Sequence, residues 1–433
     1  MKEKLFNLTE NLLSQLKEGG ADVAYCTARM SETLEFNVDG GTFSLLRTLF
    51  DRGLSMTAIK EGKKGSVGTN SFDSDTVETT VANCLALSDS SEADSAWEIA
   101  PGMGEKCFER GAVIPDKDRL FDRTQELLAD ISARYPLIVM EQMIVTHTKS
   151  ESVYRNTNGS VFNTVSGYYS VELMFSGHEG EESSSFFSSG VLTDNLDTPF
   201  IELGSIARDL EDTEKQIRTV PCEGKYVGTM LLSPGCLSSF IDSIADNFAS
   251  DRPLLDGTSI WKDKLGEKVA DERITISLMP KSDKVVCGEN YTGEGFLSEN
   301  FDFIRDGRLE SFFASCYISN KTGVPRAKNT SGNVIMKAGE KSLEDIIKNI
   351  DRGILVGRFS GGEPGINGDF SGVAKNSFLI EGGKIVGAAS ETMISGNLAD
   401  MLLDLVDISC ETVSDGVSIL PYAAFNGITI SGK

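Results

Sequence analysis

Histidine is nearly absent: the 433 residues contain two, His147 and His178. A catalytic zinc needs about three protein ligands and an open position. His178 is followed by Glu179 and then Gly-Glu-Glu-Ser with no second histidine nearby, and His147 lies in a run of alternating apolar and polar residues. Both read as ordinary strand histidines, and no metal or other cofactor is expected from the residues. Positive charge is also short: Lys and Arg number 41 against 65 Asp and Glu, a net charge of −24. Phosphate binding needs a basic face, so nucleic acid is not expected as a direct partner, nor is an anionic membrane surface. The acids are spread along the chain and serve solubility.

Long apolar runs are missing as well. No stretch of about 18 consecutive apolar residues marks a transmembrane helix. The opening MKEKLFNLTENLLSQLKEGG alternates at helical spacing and lacks the apolar core of a signal peptide, so a cytoplasmic protein is expected. The eight cysteines (26, 84, 107, 222, 236, 287, 316 and 410) form no C-x-x-C pair and read as buried free thiols, not as a disulfide framework or a nucleophile. No G-x-G-x-x-G loop follows a strand to open a helix, which speaks against a dinucleotide fold.

What is present is a mixture of short helices and many strands. Leu5, Leu8, Leu12 and Leu16 recur at helical spacing over about residues 3–18. Extended segments follow, and a helix near 74–88 has Asp75, followed by Glu78, as its expected cap. The same order returns with a helix near 117–134 ended by Pro136, strands through 189, and a helix near 198–215. This predicts one helix–strands–helix module used twice, over 1–115 and 116–220. After Pro221 comes an amphipathic helix over about 235–249. Then follow strands such as RITISLM, LESFFASCYIS, GILVGRF and KNSFLIEGG, and two short helices near 341–350 and 396–405. The expected fold class is α+β, with a C-terminal antiparallel, barrel-like β-rich domain over 221–433.

Two acid pairs, Glu181–Glu182 and Glu211–Asp212, read as solvated faces, because neither forms a dyad recognisable from sequence. The loop GRFSGGEPGINGDFSG, 357–372, holds six glycines but no Walker Lys-Ser/Thr pair. Turns between strands explain it most simply. A second use is contact with an extended peptide through exposed backbone, with Gly361, Gly362, Gly368 and Asp369 as the contacting residues. On that reading Gly362→Ala weakens peptide handling and leaves the melting temperature nearly unchanged.

Four stretches carry a family resemblance. They are NTNGSVFNT (156–164), TGEGFLSENFDFIRDGRLESFFASCYISNKTG (292–323), the 352–401 segment from RGILVGRFSGG to ISGNLADM, and GVSILPYAAFNGITISG (416–432). In this order and spacing the chain resembles the TldD/PmbA family, which carries the label "modulator of DNA gyrase"; that label finds no support in so acidic a sequence. The resemblance implies cytosolic proteolysis of small or unfolded peptides by a metallopeptidase with an H-E-x-x-x-H helix and a late cysteine ligand. Carried onto this chain, the motif positions fall near Ser239, Phe240 and Ile244, and the cysteine position near Thr412, with Cys410 two residues away. None of the three helix residues binds a metal. The chain therefore resembles the PmbA (TldE) branch, which lacks the motif. Its implied role is the non-catalytic subunit of a peptidase complex, partnered by a catalytic TldD-like subunit or by itself as a dimer; the alternative is a stand-alone peptide-binding protein. After dialysis the purified protein is expected to hold no stoichiometric zinc. Elemental analysis finding one zinc per chain, held by His147 or His178, would overturn that reading.

Overall fold

The computed structural model describes residues 2–432. Two long hairpins build the N-terminal half: Val23–Asp39 runs antiparallel to Thr42–Lys60, and Ile138–Asn156 antiparallel to Ser160–Glu179. The hairpins also pair with each other, from Tyr25 opposite Asn156 to Asp39 opposite Gln142, so the two expected copies share one eight-stranded sheet.

One face of that sheet carries two separate cores, because successive even-numbered residues of Val23–Asp39 point the same way. Ala24, Cys26 and Ala28 are buried with Leu5, Leu12 and Leu16 of helix Lys2–Glu18 and with Val77, Val81 and Cys84 of helix Ser74–Ser90. Further along the same strand, Leu34, Phe36 and Val38 are buried with Leu120, Leu127 and Ile131 of helix Lys117–Arg134 and with Ile206 and Leu210 of helix Ile206–Lys215.

Three local expectations are corrected. Helix Ser74–Ser90 takes Asp73 as its N-cap residue, not Asp75. The helix expected from 198 begins at Ile206, after a single 3-10 turn at Phe200–Glu202. Of LESFFASCYIS, only Leu309 lies in a strand, Arg308–Leu309, and Cys316–Thr322 is helical. Ser315 Oγ accepts the Ile318 N–H at the start of that helix, and Gly323 follows its end at φ +81°. Caps at both ends outweigh the strand preference of Phe and Tyr.

In the C-terminal half, strand Ile419–Ser431 is the hub. It pairs antiparallel with Lys225–Leu232, Thr392–Asn397 and Leu405–Ser414, and parallel with Val334–Met336. The resulting sheet of fourteen strands curls around a core that includes Trp261, Phe303, Phe312 and Phe425. It is not wholly antiparallel, since Lys225–Leu232 runs parallel to Arg352–Val356. The chain enters this sheet at Thr219–Pro221, beside Lys384–Ser390.

The halves are tied by directed contacts. Arg110 donates to the carbonyls of Pro280 (3.0 Å), Ser282 (2.5 Å) and Val285. Tyr154 donates to the Glu294 carbonyl at 2.9 Å, and Trp97 stacks on Tyr317 with ring centroids 3.8 Å apart. Arg110→Ala leaves three carbonyls without their charged donor and is expected to destabilise the fold by about 1–3 kcal/mol, read by chemical denaturation. An unchanged midpoint would mean that this tie contributes nothing.

Candidate functional site

Helix Pro234–Ile244 starts where strand Lys225–Leu232 ends. Ser233 caps it, its Oγ accepting from the Cys236 N–H at 3.4 Å, and Pro234 fits the first turn because no N–H is needed there. Leu237, Phe240, Ile241 and Ile244 face the core, and Phe240 meets Phe359 and Phe370 edge-on at 5.5 and 5.3 Å. Of the motif positions, Ser239 is exposed, with its hydroxyl 3.5 Å from the Gly235 carbonyl, while Phe240 and Ile244 are buried. Thr412 lies in strand Leu405–Ser414, and Cys410 is exposed beside Glu411, its thiol raised first by desolvation and then by that carboxylate. A hydroxyl, a phenyl ring and an aliphatic chain do not fit a catalytic metal. Among the described residues no group of three His, Cys, Asp or Glu side chains is placed to hold one.

The histidines stand apart from this helix, in the N-terminal sheet. His147 is buried, its Nε2 2.6 Å from the Ala112 carbonyl, and burial lowers its pKa. His178 Nε2 is 3.0 Å from Ser176 Oγ. Burial pushes the Cys26 and Cys236 thiols up to about 12, which makes both inert.

A cavity of about 210 Å³ opens between the halves, beside Pro234 and Gly235. Helix Ile206–Lys215 and strand Phe187–Thr193 form its N-terminal wall, and Leu355, Asn376, Phe378, Leu420 and Tyr422 lie on the C-terminal one. Asp209 sits on the first wall. Ser189 and Ser205 both donate to its Oδ2 at 2.6 Å, but desolvation dominates and pushes the carboxyl up to about 6. Arg208, next to it, is directed elsewhere: it pairs with Asp212 at 3.4 Å and lies over the Tyr422 ring at 5.1 Å.

Residues 223–432 match the family model described as PmbA/TldA metallopeptidase C-terminal domain. Metalloprotease PmbA of Escherichia coli O157:H7 is 25% identical over 403 residues, covering 87% of this chain and 82% of its own. The C-terminal half of the chain belongs to the PmbA/TldD family. A zinc metalloprotease TldD homolog of Saccharolobus solfataricus is 25% identical over 197 residues, 42% of this chain and 44% of its own. The crystal structure of TldE from Thermococcus kodakarensis matches with a TM-score of 0.81 at 21% identity, covering 98% of this chain and all of that one. At that identity the likeness speaks for the fold alone.

Within this PmbA/TldD fold the glycine-rich loop joins strands Arg358–Ser360 and Asp369–Lys375. Asp369 accepts from Asn397 (2.9 Å) and Asn367 (2.6 Å), and Asn397 also accepts the first N–H groups of helix Leu398–Leu403. Gly361, Gly362 and Gly368 all have positive φ. A Cβ on Gly362 would stand 1.5 Å from the Ser371 carbonyl oxygen, and one on Gly368 would stand 2.7 Å from Phe248. These four residues hold the loop's shape. The expectation that Gly362→Ala spares the melting temperature is overturned by that contact. Of the acid pairs, Glu182 meets Arg218 at a hairpin tip and Glu211 pairs with Lys215, whereas Asp212 faces the cavity.

Sequence reasoning missed Asp209 and Asn376. A signal existed for the first: Asp209 stands three residues after the buried Ile206 and four before the buried Thr213, on the helix's inner face. Gly362→Ala is expected to cost about 2–3 kcal/mol from strain and contact together. Calorimetry showing an unchanged melting temperature would contradict the geometry.

Proposed function

We propose that this chain is the non-catalytic subunit of a TldD/TldE-type metallopeptidase complex that degrades or matures small unfolded peptides in the cytoplasm. The observation that carries the reading is the composition of helix Pro234–Ile244: Phe240 and Ile244 stand in the core where the motif would need a base and a ligand. The relatives named metalloproteases support the family's chemistry, and the cavity beside this helix supports a share in holding peptide.

A partner is supported by a second feature. Residues 42–53 of strand Thr42–Lys60 are paired on one side only, because strand Lys63–Thr69 begins its ladder at Leu54. This free edge bears Phe43, Leu45, Leu46 and Phe50, with Leu46 63% and Phe50 71% exposed. An apolar free edge is an aggregation hazard unless another chain covers it. The reading therefore takes this hairpin as the pairing surface, with a second subunit of the same fold as its occupant. No helix among the described residues is long and apolar enough to cross a membrane.

Mixing the protein with an H-E-x-x-x-H relative should yield cleavage of an unfolded peptide beyond that of the relative alone. The double variant Leu46→Lys, Phe50→Lys should lose the complex in sedimentation while melting like the parent. No gain in cleavage from any such relative, with peptide still bound by the chain alone, favours the stand-alone peptide-binding protein.

A further inference from the structure

Two side chains on the cavity wall have polar atoms that the fold leaves unengaged. Asn376 holds its side-chain Oδ1 and Nδ2 out of solvent with no hydrogen-bond partner, on a backbone at φ +49°. Leaving such a group unpaired costs about 1–3 kcal/mol, and a non-glycine residue in the left-handed region adds strain. A carboxamide offers one donor side and one acceptor side, which is the complement of a peptide group. Asp209 is the second. Both serine hydroxyls go to its Oδ2, which leaves Oδ1 for a guest.

The other ionisable groups on the walls are already engaged. Asp212 meets Arg208 and Lys215, and Asp415 accepts from the backbone N–H groups of Val417 and Ser418 and from the Ser418 hydroxyl. Three carboxylates against one guanidinium favour a cationic guest over an anionic one. The volume of about 210 Å³ lies below the roughly 300–1,000 Å³ of pockets that enclose whole drug-sized ligands. That volume suits one end of a longer molecule, and Phe378, Leu355 and Leu420 supply an apolar wall for a side chain.

We propose that this cavity receives the amino-terminal residue of a peptide, with its ammonium on Asp209 and its first peptide group on the Asn376 carboxamide. The inference rests on the peptide-holding reading and adds a direction to it: the bound peptide's free amino end is anchored beside Gly235, one helical turn before Ser239. No bond is made or broken, and the cavity serves to position.

The probe is Leu-Gly-Gly-Gly-Ser carrying fluorescein at its carboxyl end, compared with its N-acetylated twin by fluorescence anisotropy on the full chain. The free-amine peptide should bind at least tenfold tighter at pH 7. Asp209→Asn should bind both peptides alike, and Asn376→Ala should weaken both. A readout on the unaltered protein guards against misfolded variants. The preference should fade below about pH 6 as Asp209 takes its proton, and again above about pH 8 as the α-amine loses its own. Equal binding of the two peptides by the unaltered protein overturns the amine anchor and leaves the peptide-holding reading standing, as does a preference that survives in Asp209→Asn. Binding of neither peptide overturns both.

Discussion

The spacing of the seam between the two halves governs everything at the site. Two hydrogen bonds cross it beside the cavity: the Leu192 N–H donates to the Asp415 carbonyl at 2.8 Å, and the buried Gln216 amide donates to the Ser377 carbonyl at 2.9 Å. Neither half carries the cavity alone, because Asp209 comes from one and Asn376 from the other. Such bonds in a dry seam are costly to leave unmade, so the walls are held at one distance. Arg110 and Tyr154 fix the same seam farther along, each donating to carbonyls of the C-terminal half.

The sequence is most legible where a physical pattern repeats. Leucines every three or four residues give helix Lys2–Glu18, and Asp116, which accepts the Arg119 N–H, marks the start of helix Lys117–Arg134. The α+β class follows from such segments. Ladder partners follow from nothing local. That Tyr25 lies opposite Asn156, or that Lys225–Leu232 runs parallel to Arg352–Val356, is decided by closure of whole sheets. Cys316–Thr322 is helical against the strand preference of its surroundings because a single Ser315 hydroxyl and a single Gly323 outweigh a run of aromatic residues.

The site was less legible than the fold for a related reason. The motif positions could be judged because a phenyl ring or a sec-butyl chain cannot bind a metal in any setting. Asp209 differs: its chemistry comes from its surroundings, and the same carboxylate two turns away on a solvated face would be unremarked. The glycines of 357–372 show the converse. Their type suggested freedom of backbone contact, but Gly362 is fixed there by the Ser371 carbonyl. A glycine required by close approach carries no information about a ligand until the approaching atom is known.

The hub position of Ile419–Ser431 also sets an order of events during synthesis. Its first ladder partner, Lys225–Leu232, lies roughly two hundred residues upstream, with Lys225 opposite Ser431. Until Ile419–Ser431 emerges from the ribosome, Met230, Leu231 and Leu232 have no antiparallel neighbour, and the apolar face of helix Pro234–Ile244 lacks part of the sheet it covers. The N-terminal sheet, by contrast, has all its strands by Thr193. The chain therefore passes through a nascent state in which one half has all its strands and the other holds an apolar strand end uncovered, a state that a holding chaperone would recognise.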